Sequence, residues 1–328
     1  MNILVSGGAG YIGSVATRVL LDAGHSVCVI DNLSKGFRSA VDPRAQFVRC
    51  DISDTKTVIR VVQEQRIEAA MHFAAFIEVA ESVSNPQKYL DNNFERAKIF
   101  VGALLEGGCK KFILSSTAAV YGSPTEIPIP ESHAMRPINP YGESKALLEG
   151  HLRELVSAGH LSFSALRYFN VAGAWMDGSL GESHDPETHL IPCILKSLQG
   201  VQKRFKIFGA DYPTFDGTCV RDYVHVVDLA HAHLLALSHL EQESSAVFNI
   251  GSESGFSVLQ VLEAVESVTG KRVERDVEAR REGDPHTLVA LSRRAREVLH
   301  WKPRFPQLEQ MIEHAWKWHQ KHPRGWIE

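Results

Sequence analysis

The sequence predicts an α/β fold: a doubly wound parallel sheet joined to a second, smaller α/β substrate domain. Two observations carry the prediction. Short apolar runs alternate with helical stretches from residue 2 to about residue 170, which is the pattern of parallel βαβ units. After about Val171 the texture changes to longer, more polar connections, including residues 177–188 and 210–218, with shorter elements between them.

The first unit is the most specific. Asn2–Ser6 is an apolar run that enters Gly7-Gly8-Ala9-Gly10-Tyr11-Ile12-Gly13, and a helical pattern follows over residues 11–23. Strand, glycine turn and helix in this order describe a dinucleotide-binding turn and make the first domain Rossmann-like. Gly7 permits the tight turn, Gly10 lets the backbone approach a pyrophosphate, and Gly13 allows close helix packing. The amides at the start of the helix, around Tyr11 and Ile12, are offered to the phosphates. A second strand at residues 26–30 ends at Asp31, 18 positions after Gly13, where a carboxylate can accept from a ribose diol. It would repel a 2′-phosphate, so the expected cofactor is NAD rather than NADP, with Lys35 and Arg38 following closely.

Further strands are expected at residues 46–49, 69–73, 111–114 and 162–166, with helices near 55–65, 87–105 and 141–156. Asp51-Ile52 and Phe73-Ala74-Ala75 fall just past the third and fourth strands, at carboxyl ends that border the cofactor crevice. In the third helix, Pro140 suits the first turn, and Tyr141 and Lys145 stand four apart on one face. A free phenol titrates near about 10, and a fixed ammonium beside it is expected to lower that value, which makes Tyr141 a candidate general base toward an alcohol.

Composition excludes several functions. At 328 residues and 44% hydrophobic content the chain has a globular composition, and no run approaches the roughly 20 apolar residues of a membrane span. The first strand begins at residue 2, so a cytoplasmic protein is expected. A net charge of −4 offers no reason to invoke nucleic acid. Cys28, Cys50, Cys109, Cys193 and Cys219 form no Cys-x-x-Cys pair and read as buried thiols. No metal is expected: His231, His233, His314, His319 and His322 lack carboxylates or cysteines at ligand spacing and read as surface or helix-packing residues.

In the second half, residues 205–209 read as a strand, and residues 220–226 as an extended segment leading into a helix at 227–237. A polar, loop-rich lobe after a nucleotide-binding lobe is a common way to build a substrate cleft between domains.

Several blocks carry a family resemblance: Gly7 to Ser14, Asp31-Asn32-Leu33, Ser115-Ser116-Thr117-Ala118-Ala119-Val120-Tyr121-Gly122, Tyr141-Gly142-Glu143-Ser144-Lys145 and Arg167-Tyr168-Phe169-Asn170. They resemble the extended short-chain dehydrogenase/reductase superfamily. The block from Asp211 to Ala230 and Arg280-Arg281-Glu282-Gly283-Asp284 narrow the likeness to the UDP-glucose 4-epimerase family. The resemblance spans nearly the whole chain.

The resemblance implies a tightly held NAD, oxidation at C4 to a 4-ketose, rotation of the sugar and re-reduction, with no net redox change. It implies that Tyr141 is the acid/base, that Lys145 tunes it and holds the nicotinamide ribose, and that Thr117 relays the proton where relatives often carry serine. It adds Asn32, Asn93 and Tyr168 to the cofactor contacts. It assigns the UDP-sugar to Thr117, Asn170, Leu190, Phe208, Arg221, Tyr223, Arg281 and Asp284: diphosphate on Asn170, Arg221 and Arg281, uracil against Leu190 and Phe208, ribose on Asp284. It also implies a homodimer through the helices near 87–105 and 141–156. NAD is assigned to residues 1–170, with 220–250 returning to that lobe, and the UDP-sugar mainly to 171–328.

Two positions depart from the family. Phe76-Ile77-Glu78 replaces a stretch in which many relatives place a cofactor-binding lysine, which implies looser NAD. Leu288 stands where a tyrosine in some relatives excludes N-acetylated sugars, which implies that UDP-N-acetyl sugars are also accepted. A nucleotide-sugar dehydratase would need an acidic pair after Thr117, and Ala118-Ala119 stand there. A UDP-glucuronate epimerase or decarboxylase remains an alternative, as does a non-catalytic NAD-sensing protein, although the latter has no need of Tyr141, Lys145 and Thr117 together.

Overall fold

In β1 (Asn2–Ser6), Ile3 and Val5 pack into the core on one face of a sheet and Leu4 into the core on the other, and none of the three is exposed. Burial on both faces explains why the strand reads as an unbroken apolar run instead of alternating. The computed structural model, which describes residues 1–201, 204–281 and 285–327, repeats this pattern along the first half.

α1 (Tyr11–Asp22), β2 (Ser26–Asp31), β3 (Gln46–Arg49), α2 (Thr55–Glu64), β4 (Ala69–His72), α3 (Val79–Ser84), α4 (Pro86–Leu90), α5 (Arg96–Gly107), β5 (Lys111–Thr117), α6 (Pro140–Ser157) and β6 (Ser162–Tyr168) follow in order. After β6 come β7 (Asn170–Ala172), α7 (Leu190–Leu198), β8 (Phe205–Phe208), β9 (Val220–Arg221), β10 (Tyr223–His225), α8 (Val226–His239) and β11 (Ser245–Ile250). The chain ends with β12 (Phe256–Ser257), α9 (Val258–Thr269), β13 (Arg275–Glu278), β14 (Thr287–Leu288), α10 (Arg293–Val298) and α11 (Leu308–Lys321).

Seven strands form one parallel sheet in the order β11-β6-β5-β4-β1-β2-β3. The order reverses between β1 and β4, and the carboxyl ends of those strands form the topological switch point where ligands of such sheets bind. One core packs α1 and α8 on one face, and a second packs α2, α5 and α6 on the other. A third core, built from α7, α9, α11 and β8, belongs to the smaller lobe. The edge strand β11 comes from far along the chain and pairs with β6, Ser245 opposite Phe163 through Ile250 opposite Tyr168.

Three elements differ from expectation for identifiable reasons. The helix expected at 87–105 is broken: a π-helical turn, Asp91–Glu95, separates α4 from α5. Its Asn93 is turned inward, with Nδ2 donating to the Phe76 carbonyl at 2.9 Å and Oδ1 accepting from the Phe76 amide at 2.9 Å. β5 runs three residues beyond its apolar part, because Ser115, Ser116 and Thr117 pair with Leu166, Arg167 and Tyr168 of β6. The extended segment 220–226 is split by the buried carboxylate of Asp222, which accepts from the amides of Ser252, Glu253 and Ala290 at 2.7–3.0 Å. β9 therefore joins β12 and β14, while β10 joins β7.

Cys28, Cys50, Cys109 and Cys219 are buried, Cys193 is half-buried, and all are free thiols. His233, His314 and His319 are buried helix-packing residues, and His314 Nδ1 stands 3.0 Å from His225 Nε2. Among the described residues no helix is long and apolar enough to cross a membrane.

Candidate active site

A cavity of about 1330 Å³ opens over the switch point and runs between the sheet and the smaller lobe. It exceeds the roughly 300–1,000 Å³ of a site for one drug-sized molecule.

The glycine turn forms its floor. Gly7 has φ +74, and a Cβ there would lie 2.5 Å from the Ala74 amide nitrogen, so the turn and its approach to the segment after β4 both require glycine. A Cβ on Gly13 would lie 2.2 Å from the Gly7 carbonyl, which seats α1 against the turn. Gly10 differs: a Cβ there would meet only the Gly7 carbonyl, at an ordinary 3.4 Å. Protein packing does not demand glycine at this cavity-lining position, whereas a pyrophosphate drawn close to the backbone does. Gly10 is also the N-cap of α1 and supplies no side-chain cap, which leaves the first-turn amides of Tyr11, Ile12 and Gly13 directed to the cavity. The residues present therefore fit a dinucleotide.

At the end of β2, Asp31 is buried with its Oδ1 accepting from the Leu33 amide (2.8 Å) and Oδ2 from the Ala9 amide (3.1 Å). Burial raises its pKa, and the two amides act against that rise. Asn32 donates to Asp51 Oδ2 at 3.0 Å, tying the ends of β2 and β3 together. Ile52, Phe73, Ala74 and Ala75 complete this wall, and Ile77 lines it as well. Lys35 also faces the cavity, but its Nζ donates to the Asp185 carbonyl at 3.0 Å and lies 3.5 Å from Glu78.

α6 carries the chemistry. Asn139 caps it by accepting from the Gly142 amide at 2.8 Å, and Pro140 occupies the first turn. Tyr141 is buried and lines the cavity together with Thr117. Thr117 Oγ1 accepts from the Ala119 amide at 3.1 Å, which orients it. Lys145 is buried and donates to the Ser115 carbonyl at 2.9 Å. The Tyr168 hydroxyl is hydrogen-bonded to Ser115 Oγ beside the same pair.

The tuning of this pair departs from expectation. Burial raises the Tyr141 pKa, opposed by the Thr117 side chain, and burial pulls Lys145 down to about 8, opposed by Glu149. Desolvation thus outweighs any pull of the ammonium on the phenol. Below α6, Glu149 is fully buried and receives Arg167 on both oxygens, at 2.9 and 2.6 Å, and Ser116 Oγ at 2.6 Å. The Arg167 guanidinium also donates to the Tyr121 hydroxyl at 3.0 Å. This network locks α6 to β5 and β6.

The opposite wall belongs to the smaller lobe and the strands that serve it. Asn170 begins β7 and donates to the Asp222 carbonyl at 3.2 Å. Leu190 starts α7, Phe208 ends β8, and the Arg281 guanidinium lies 4.0 Å over the Phe208 ring. Arg221 of β9 donates to its own neighbour's carbonyl at Val220 (2.8 Å), and Leu288 of β14 lies opposite it in register. Tyr223 of β10 is buried and lines the cavity.

Of the residues singled out from sequence, Asn93 does not line the cavity: its amide is spent on Phe76, so it acts on the cofactor wall through that segment. Asp284 lies outside the described residues. Sequence reasoning passed over Ser115, which holds both Lys145 and Tyr168, and the Glu149–Arg167 pair. It also passed over Glu182, His184, Glu187 and His189, which gather within eight positions; all but the fully buried Glu187 side chain line the cavity. That spacing was the available signal.

Residues 3–251 match the NAD dependent epimerase/dehydratase family, and the chain belongs to it. Within the family the relatives are specific. The chain is 50% identical to a UDP-glucose 4-epimerase of Lacticaseibacillus casei, covering 99% of this chain and 98% of that protein. It is 51% identical to that of Streptococcus mutans, covering 99% of each. The fold superposes on a UDP-glucose 4-epimerase crystal structure with TM-score 0.97 at 44% identity over the full length of both chains. A Stenotrophomonas maltophila UDP-glucose-4-epimerase, solved with NAD and formylated UDP-arabinopyranose, gives TM-score 0.95 at 38% identity, covering 99% of each.

Proposed function

We propose that this chain interconverts UDP-galactose and UDP-glucose by oxidation and re-reduction at C4 of the sugar, in galactose metabolism. The observation that carries the reading is the placement of Thr117, Tyr141 and Lys145 together on the wall of a cavity whose floor is a dinucleotide turn, in a chain about half identical to UDP-glucose 4-epimerases. NAD, when bound, supplies a reversible hydride acceptor. Tyr141 takes the proton of the C4 hydroxyl through or beside Thr117 and returns it, and Lys145 stays with the cofactor ribose. Asp31 accepts from the adenosine ribose. Asn170, Arg221 and Arg281 hold the diphosphate, to which planar guanidinium groups are well matched, and Leu190 and Phe208 pack the uracil. Retention of the UDP handle lets the oxidised sugar turn and present its other face without leaving.

Purified protein incubated with UDP-galactose and no added cofactor is expected to form UDP-glucose, followed by proton NMR. No conversion even after NAD is supplied overturns the assignment.

The same proposal divides the labour between lobes, with residues 1–170 and 220–250 holding NAD and the remainder mainly holding the UDP-sugar. It extends the substrate range to UDP-N-acetylglucosamine, because a leucine, Leu288, lines the cavity where bulk would exclude an N-acetyl group. A 41% identical structural neighbour from Campylobacter jejuni is described as a UDP-Glc/GlcNAc 4-epimerase. Absence of interconversion at millimolar substrate removes that extension. A cytoplasmic homodimer completes the reading, supported by exposed Ile99 on α5 and Leu147 on α6, helices that can pair across a two-fold axis. Light scattering that returns a monomer mass removes the dimer.

A further inference from the structure

The segment Gly181–Leu190 leads from the glycine-rich turn after β7 into α7, and four of its five ionisable side chains, all but Asp185, turn toward one point. One atom from each of Glu182, His184, Glu187 and His189 can be chosen so that all four lie within 4.8 Å of one another. His189 Nδ1 stands 2.9 Å from Glu182 Oε1 and 3.0 Å from Glu187 Oε1. His184 Nδ1 stands 3.1 Å from Glu182 Oε1 and 3.8 Å from Glu187 Oε2. A tetrahedral ion with N and O ligands at about 2.0–2.1 Å separates its ligands by about 3.3 Å, within this range.

Partnering supplies a second, independent observation. The Glu187 side chain has no exposure, yet its Oε2 lacks a hydrogen-bond partner, as does His184 Nδ1, which approaches Glu182 without hydrogen-bond alignment. The nearest cation to Glu187 Oε2 is Lys196 Nζ, at 3.7 Å and engaged with the His184 carbonyl at 3.2 Å. Glu187 Oε1 is satisfied by the Thr188 and His189 amides at 2.9 and 3.0 Å, so the unmet demand falls on Oε2, and a buried carboxylate oxygen without a partner is costly.

We propose that Glu182, His184, Glu187 and His189 form a binding site for one divalent cation of the zinc class. Two imidazoles and two carboxylates are ligands that zinc accepts, and four protein ligands close the coordination sphere, as in structural sites. Backbone contacts show what the ion would hold. The Glu182 carbonyl accepts from Trp318 Nε1 of α11 at 2.9 Å, the Asp185 carbonyl receives Lys35, and His189 is the N-cap of α7, whose first residue Leu190 faces the cavity. The ion pins the loop wall of the cavity against both lobes. Its presence does not depend on the reaction proposed above.

Tag-free protein stripped with EDTA, incubated with excess zinc chloride and desalted is expected to retain about one zinc per chain by mass spectrometry, with a higher unfolding temperature than the stripped form. Glu187→Gln and His189→Gln are expected to lose that zinc while keeping the wild-type circular dichroism spectrum. Failure of the wild type to retain zinc, or equal retention by both variants, overturns the site. If the variants do not fold, zinc-edge anomalous scattering from soaked wild-type crystals decides: a peak within about 2.2 Å of His184 Nδ1 and His189 Nδ1 supports the proposal, and no peak there overturns it.

Discussion

The two walls of the cavity solve the same problem, holding charged and polar groups out of water, by opposite means. On the sheet side, α6 and the ends of β5 and β6 bury Glu149, Arg167, Ser116 and Tyr121 in a network in which Glu149 receives Arg167 on both oxygens. On the loop side, Glu182, Glu187, His184 and His189 crowd together with donor and acceptor atoms left over. Regular elements bring side chains together at fixed repeats and can complete a network internally. A loop has no such repeat and completes its coordination with whatever it binds. On the function proposed above, the chemical step belongs to the first wall and substrate affinity to the lobe that carries the second.

The largest expected effect tests the first wall. Tyr141→Phe keeps the ring and its packing but removes the proton carrier, and turnover of UDP-galactose should fall by roughly 10²–10⁴-fold. Bound NAD, measured after denaturation of the purified variant, should be unchanged. Loss of NAD together with activity would show that the phenol hydroxyl is needed to hold the cofactor, and the fall in turnover would then not report proton transfer.

Breaking the network beneath it should unfold the protein instead of slowing it. Arg167→Ala leaves the buried Glu149 carboxylate with only Ser116 and the more exposed Arg153, 3.0 Å from Oε2, as partners, at an expected cost of up to about 3–5 kcal/mol in urea unfolding. Replacing both partners by leucine and methionine should cost less than the single change. A double variant as damaged as the single one contradicts the view that the loss of the buried cation is what hurts.

The loop wall should respond in affinity. Arg281→Ala removes the charge-assisted contact proposed for the diphosphate, about 1.5–3 kcal/mol, so KM should rise roughly 10–100-fold with kcat within about threefold of wild type. A fall in kcat alone would erase the distinction between the walls.

The smallest effect concerns Lys145, which the active site holds at a cost. Burial lowers it to about 8 in the folded chain, against about 10.4 when unfolded. Between those values the unfolded chain binds more protons, so stability contributed at this site rises with pH from 8 to 10. At pH 7 the whole penalty is present, and Lys145→Met, though inactive, should be more stable by on the order of 1–3 kcal/mol. The gap between variant and wild type should close as pH approaches 10. A gap independent of pH would assign the effect to packing.

Much of the first lobe was legible because its signals are local. The apolar run of β1, the glycine turn and Asp31 lie within about thirty residues, and each follows from a short-range constraint: burial on both faces, a positive φ, a strand end. Tyr141 and Lys145 were legible because the helical repeat alone sets them on one face. The inward turn of Asn93 was not, because it depends on Phe76, 17 positions away. Nor was the length of β5, whose polar end is strand only because β6 lies beside it.

What the sequence determined by itself was the order of elements, the switch point they imply and the residue types needed at the turn and on α6, since backbone geometry and burial act over a few neighbouring positions. Tertiary structure alone decided the protonation balance of Tyr141 and Lys145, the completed partnering of Glu149 with Arg167, and the gathering of Glu182, His184, Glu187 and His189 around one point. Desolvation and ion pairing depend on every group packed within a few ångströms, whatever its distance along the chain.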